Sequence, residues 1–357
     1  MAEQSKFVSY IQKYFTGFVA TVTKLINGEE SAPQYRYKSM LTPKQSLDGK
    51  WTSITSDNKN VAADVVAMDS PLPLKKRPAL STASGDIPKL GMEMKMNENQ
   101  LDQLDTMIAK GADISEIVEE IFDDAKRGVI GVEEQKEYLF LRGLSSGVAL
   151  TSSENVGAGI RVDYGYLPAN KSGVSVLWTD LANSTPITDL NNLIAKSKKK
   201  ISLIMMDKVS FDLARRSVEG KDLYARTIGN FGETKPIPTA SQFLEAWQDE
   251  TSATFDIVDR SVEFEVDGET EAVKAWEEGK IVLLTKSNVG NLVWKKVTEA
   301  NHQSKSIDYK IVDGHILVSK YVTHKPFGEW TDVQARAVPV INGVRDIFQL
   351  DTKTVQA

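Results

Sequence analysis

The sequence contains no cysteine, which excludes disulfides, thiolate metal sites and cysteine nucleophiles together. Histidine is nearly as scarce. His302, His315 and His324 are the whole set, and none is paired at a metal-binding spacing such as H-E-x-x-H. No apolar run approaches the roughly 20 residues that cross a bilayer. The first residues lack the basic head and small-residue cleavage site of a signal peptide, so the expectation is a soluble protein made in a cytoplasm. Positive charge is also short: 43 Lys and Arg stand against 49 Asp and Glu, a net charge of -6. That balance argues against binding nucleic acid over the whole surface and leaves only a local basic patch open. Catalytic signatures are missing as well. Gly157-Ala158-Gly159 begins like a dinucleotide fingerprint, but position 162 is valine and no helix pattern follows. A P-loop and a G-x-S-x-G nucleophile elbow are both expected to be missing. Carboxylates are plentiful, yet sequence alone cannot pair them across a cleft. The expectation is a non-enzyme with no catalytic residue, cofactor or metal site.

What is present is ordinary for a folded protein. The 357 residues are 41% apolar and 26% charged, enough for a large core in two domains or one elaborated domain. The most organised stretch runs from Asp113 to Gly143. Asp113 and Glu116 form a D-x-x-E capping pattern, and Ile114, Ile117, Val118, Ile121, Phe122 and Ala125 recur at helical spacing. Gly128 and Gly131 each weaken a helix by about 1 kcal/mol relative to Ala. One long spine helix, 113–143, and two helices broken at Gly128 are the two readings.

Ahead of it, residues 6–26 predict an amphipathic helix whose stripe includes Phe7, Tyr10, Tyr14 and Phe18. Its lysines and aromatics permit a membrane-surface reading; packing on another protein surface is the reading preferred. Residues 29–96 are marked by Pro33, Pro43, Pro71, Pro73, Pro78 and Pro88 and show no helical period. Such a segment is disordered or a functional loop that packs on something else. Lys75-Lys76-Arg77 within it reads as a solvated or intersubunit salt-bridging cluster before an anion patch. The candidate contact residues are therefore Phe7, Tyr10, Tyr14, Phe18, Pro71, Pro73, Lys75, Lys76, Arg77 and Pro88. Further on, a helix is expected from Asn97 to Gly111, strands around Val162 and at Ile201–Met206, and helices after Pro186, Asp207 and Thr239. From Phe255 onward the pattern is mostly β, with a hairpin turning at Asp313-Gly314. The fold class is α+β.

The order of these features resembles the major capsid proteins of tailed bacteriophages, specifically the lambda capsid protein E family. The resemblance covers about residues 60–350. It rests on the proline-rich loop from Ser70-Pro-Leu-Pro to Gly85-Asp-Ile-Pro88, the helix end at Leu141-Arg-Gly143, and Trp178-Thr-Asp180 followed by Pro186-Ile-Thr-Asp-Leu190. Trp276 with Gly279-Lys-Ile-Val-Leu-Leu284, and Ala337-Val-Pro-Val340, complete it. The resemblance implies a self-assembling shell subunit forming pentamers and hexamers of a phage head around double-stranded DNA. It implies an N-terminal arm (1–50), an extended loop (51–96), a peripheral domain with the spine helix (97–180 and about 311–350) and an axial domain (181–310). Scaffold and portal proteins, and a decoration protein in some relatives, are the implied partners; no membrane is. The implied location is the virion, after assembly in the bacterial cytoplasm. Some related shells crosslink a loop lysine to a neighbour's asparagine; Lys75, Lys76 or Lys89 with Asn342 would be the counterparts, although lambda-type shells are not expected to do so. An encapsulin-like nanocompartment and a soluble α+β enzyme are the alternative readings.

Overall fold

The computed structural model describes residues 3–28, 35–56, 80–150, 161–230, 232, 235–266 and 269–356. At its centre lies one unbroken helix, Ile114–Ser146, of 33 residues. The glycines that threatened it are where the sheet presses closest. A Cβ on Gly128 would sit 2.4 Å from Val333 Cγ2, and one on Gly131 would sit 2.7 Å from Met92 Sδ. Loss of helix propensity is thus offset by close packing against two strands. The expected capping box does not form: Asp113 occupies the N-cap with extended backbone, but its side chain accepts no cap hydrogen bond. Glu116 in the first turn still complements the helix dipole. Gly147, at φ +84°, closes the helix by donating to the Gly143 carbonyl.

Against the spine lies a six-stranded sheet. Its order is Leu41–Gln45, Gly290–Lys295, Phe327–Ile341, Ile316–His324, Asp308–Val312, and Lys89–Met96 pairs with a second stretch of Phe327–Ile341. That 15-residue strand meets Lys89–Met96 along residues 329–336 and Gly290–Lys295 along residues 336–341. The Asp313-Gly314 turn adopts positive φ at both residues (48° and 72°), the conformation of the tight hairpin expected there.

The N-terminal helix, Val8–Ile26, departs from expectation in its partner. Ile11, Phe15, Val22 and Ile26 are buried, and the Phe15 and Phe18 rings stack on Phe122 of the spine at 5.0 and 4.8 Å. The stripe thus packs on its own chain. Residues 1–50 are likewise not a detached arm, because Leu41–Gln45 is a parallel sheet strand beside Gly290–Lys295. In the expected loop 51–96, Lys50–Ser56 and Leu80–Asp86 pair as an antiparallel ribbon, and Lys89–Met96 belongs to the main sheet.

A second unit is built on five strands ordered Lys171–Val174, Ile347–Val355, Lys280–Leu284, Leu203–Asp207, Thr254–Val258. Helices Pro186–Ser197, Lys208–Arg216, Val218–Thr227 and Ala240–Thr251 cover it, two of them capped by Asp207 and Thr239 as expected. Thr185 makes no side-chain cap; the Glu219 carboxylate instead accepts from the Ile187 and Thr188 amides. The expected domain limits change accordingly. Gly290–Lys295 and Asp308–Val312 sit in the spine-side sheet rather than in an axial unit 181–310, and Ile347–Val355 sits in the second sheet rather than with 311–350. Alternation marks a strand but not which of two sheets receives it. Each unit has its own apolar cluster.

Candidate assembly surfaces

The spine helix carries charge into the core. Glu133 and Lys136, three residues apart on one face, are both 0% exposed and pair at 2.8 Å. Tyr37 donates its hydroxyl to Glu133. One turn on, Glu137 accepts the backbone amides of Arg36 and Tyr37, each at 3.0 Å. His315 completes the group: its Nδ1 faces the Asp313 carbonyl at 2.7 Å and its Nε2 lies 3.2 Å from Lys136 Nζ. A carbonyl only accepts, so Nδ1 holds the proton and Nε2 is the acceptor for Lys136. Burial and the nearby Lys136 cation push the imidazole down to about 4. Burial lowers Lys136, with Glu133 opposing, and raises Glu137 against its two amide donors. Around this centre, Arg36 grips Asp256 through two bonds of 2.8 Å, and Arg260 and Tyr35 both bond Glu134.

A second buried group lies near the chain's start. Lys320 Nζ donates to the Ile121 carbonyl at 2.8 Å and to Thr331 at 2.9 Å, and stands 3.9 Å from Glu329. Ser5 donates to the same Glu329, and Glu3 pairs its backbone with Val322. Residues 3–7 and 35–37 are therefore clamped by buried carboxylates at Glu329, Glu133 and Glu137. These ions are closed to solvent and held by internal partners, with only Glu329 Oε2 lacking a hydrogen bond, which suits fixing an alignment rather than acid–base chemistry.

The sequence-derived contact residues divide three ways. Phe7 is 5% exposed and spent on the chain's own core. Tyr10, Tyr14 and Phe18 pack against that core while remaining half-exposed. Pro88 is half-buried where the chain bends from the ribbon into the sheet. Pro71, Pro73, Lys75, Lys76 and Arg77 lie outside the described residues, as do Gly157-Ala158-Gly159. His315 belongs to the buried ionic group rather than to a plain strand. One string, Gly143-Leu-Ser-Ser-Gly147, has the spacing of a nucleophile elbow but runs from helix into strand, the reverse of that motif. Its Ser145 is buried, donating to the Arg142 carbonyl and accepting the Glu277 amide. Among the described residues, no cluster of three metal-ligating side chains occurs and no helix is long and apolar enough to cross a membrane.

Sequence reading missed two surface features. A cavity of about 320 Å³ lies where Leu41–Gln45 and Gly290–Lys295 meet the Asp313 turn, lined by Leu41, Pro43, Leu292, Trp294, Lys38 and His315 among others. Nearby, Leu47 is 87% exposed. A leucine inside the turn string Ser46-Leu-Asp-Gly49 is the one signal that pointed to it.

The two-unit architecture, with a spine helix under one sheet and a helix-covered second sheet, is the tailed-phage major capsid fold. The chain is similar over 98% of its length, and 99% of the other's, to a structure described as a prophage capsid protein from E. coli CFT073, with a TM-score of 0.55 and 10% identity. A phage-related protein from Bordetella bronchiseptica RB50 matches 95% of this chain and 98% of its own, with a TM-score of 0.50 and 11% identity. No family model and no curated protein matches the sequence.

Proposed function

We propose that this chain is the major shell subunit of a tailed-phage head, assembling through pentamers and hexamers around double-stranded DNA. The observation that carries the reading is the end-to-end match, 98% of this chain on 99% of a structure described as a prophage capsid protein. The lambda-type landmarks from Trp178-Thr-Asp180 to Ala337-Val-Pro-Val340 support a place near the capsid protein E family. The role is structural rather than enzymatic, with scaffold and portal proteins as partners and the virion as destination. A net charge of -6 suits a container whose contents must be packed and released, because tight nonspecific phosphate binding would hold the DNA.

Negative-stain electron microscopy of the purified chain tests this. Closed shells, tubes or rings are expected, and particles from infected cells should hold DNA rather than protein cargo. A homogeneous monomer under assembly-permissive conditions would overturn it. The register of the loop ribbon, with Ser56 opposite Leu80, allows a sharper variant. Replacing 57–79 by Asn-Gly should leave the fold intact and stop shell closure; intact shells would remove the loop from the assembly account.

A further inference from the structure

The strand Leu41–Gln45 is the outer edge of the six-stranded sheet, and beyond Leu41 all its residues are exposed. An open edge invites strand addition, but Pro43 lacks an amide and Lys44 adds charge, two devices that discourage it. A neighbour that uses this edge must therefore engage it through side chains. The means are on either side of the strand. The cavity described above opens beside Pro43, walled by Leu41, Leu292 and Trp294. Just past the strand stands Leu47, the most exposed large apolar side chain among the described residues.

Leu47 is not loosely held. The Ser46 hydroxyl lies 2.8 Å from Asp48 Oδ1 and 2.9 Å from the Lys50 carbonyl and accepts the Gly49 amide, while the Ser46 amide donates to the Trp294 carbonyl. Gly49 sits at φ +80°, where other residues are strained. An apolar knob presented this rigidly loses little conformational entropy on binding. A charge is placed beside each surface: Asp48 follows the knob, and Lys38 lines the cavity, where it bonds Asn27 and Asp313.

We propose that Leu47 of one subunit seats in the Pro43–Trp294 cavity of the next, with Asp48 facing Lys38. A knob seated in the next subunit's hole without the reciprocal contact is head-to-tail, the kind that closes into rings. The occupant is a second copy, and the inference rests on the shell-subunit reading.

The absence of cysteine makes the test clean. Leu47→Cys and Pro43→Cys, both at exposed positions, are prepared as separate chains, assembled as an equal mixture and treated with a short bis-maleimide. Covalent dimers are expected from the mixture and not from either chain alone. In parallel, Leu47→Asp should raise the concentration at which shells form at least tenfold while thermal unfolding of the subunit stays unchanged. Shells that form from Leu47→Asp at the wild-type concentration, or assembled mixtures that do not crosslink, would overturn the contact and leave the shell reading standing. A wild-type chain that never assembles would remove both.

Discussion

The core under the spine helix buries Glu133, Lys136, Glu137, Lys320 and Glu329 among apolar residues that include Phe15, Phe122 and Phe140, whereas the second unit's core packs Trp178, Phe211, Phe243, Trp247 and Phe255 with aliphatic residues and the carboxylates Asp189 and Asp207. The difference follows from where the pieces come from. The second unit is made largely of consecutive chain, residues 171–284, with Ile347–Val355 added. Its buried carboxylates include Asp207, which caps its helix through Ser210 and also accepts the Gly279 amide, and Asp189, which accepts from the Trp178 indole. The spine unit gathers residues 3–7, 35–45, 89–146 and 290–341. Apolar contact alone tolerates many slips between such distant pieces, and a buried charge with fixed donors accepts few. The ions are thus read as alignment devices for a unit whose order the chain does not supply.

That comparison is broken most severely by removing one partner of a buried charge. Lys136→Ala should cost about 3–5 kcal/mol in denaturant unfolding because buried Glu133 loses its close cation and keeps the Tyr37 hydroxyl and Lys38 at 3.9 Å. The double variant Glu133→Ala/Lys136→Ala should cost clearly less than the sum of the two singles. Additive losses would mean that the pair is not a unit. In the second unit's core, Trp247→Ala should cost a similar 3–5 kcal/mol.

His315 couples the ionic core to pH. Burial and the Lys136 cation push its imidazole down to about 4 in the folded chain, from an ordinary value of about 6.5. Above about pH 6.5 its contribution is fully present. Between 6.5 and 4 the unfolded chain binds a proton that the folded chain refuses, so stability falls with falling pH, by about 3 kcal/mol in all. Glu137 and Glu329, raised by burial, act in the opposite sense. The diagnostic is therefore the difference between wild type and His315→Gln, which should shrink steadily across that window. A constant difference would contradict the burial of a neutral ring.

Smaller effects sharpen the contrast. Gly128→Val should cost about 1–3 kcal/mol by forcing the helix off Val333. Thr239→Ala, which removes one local cap in the second unit, should cost about 1 kcal/mol. A reversed ranking of these two would mean that the helix–sheet seam yields more readily than its geometry implies.

Local features were legible in the sequence. The helices expected from Asn97 and Thr239 form, each opened by a capping box, and Asp313-Gly314 makes its hairpin. The capping box expected at Asp113 did not form. Long-range placement was the larger loss. Nothing in the aromatic stripe of Val8–Ile26 says that its partner is Phe122 of the same chain, and nothing in Glu133-Glu-Gln-Lys136 says that Tyr37 and His315 converge on it. Such pairings depend on three-dimensional closure, to which a periodicity along the chain is blind. Of the contact residues chosen from composition, Phe7 proved internal, while Leu47 was overlooked because a single leucine breaks no pattern.

The most direct test of the shell-subunit account is native mass spectrometry of the soluble chain during assembly. The account predicts discrete species of five and six copies of the 39.5 kDa subunit as precursors of larger particles. A spectrum confined to one copy at every concentration that supports assembly of a shell protein would contradict it.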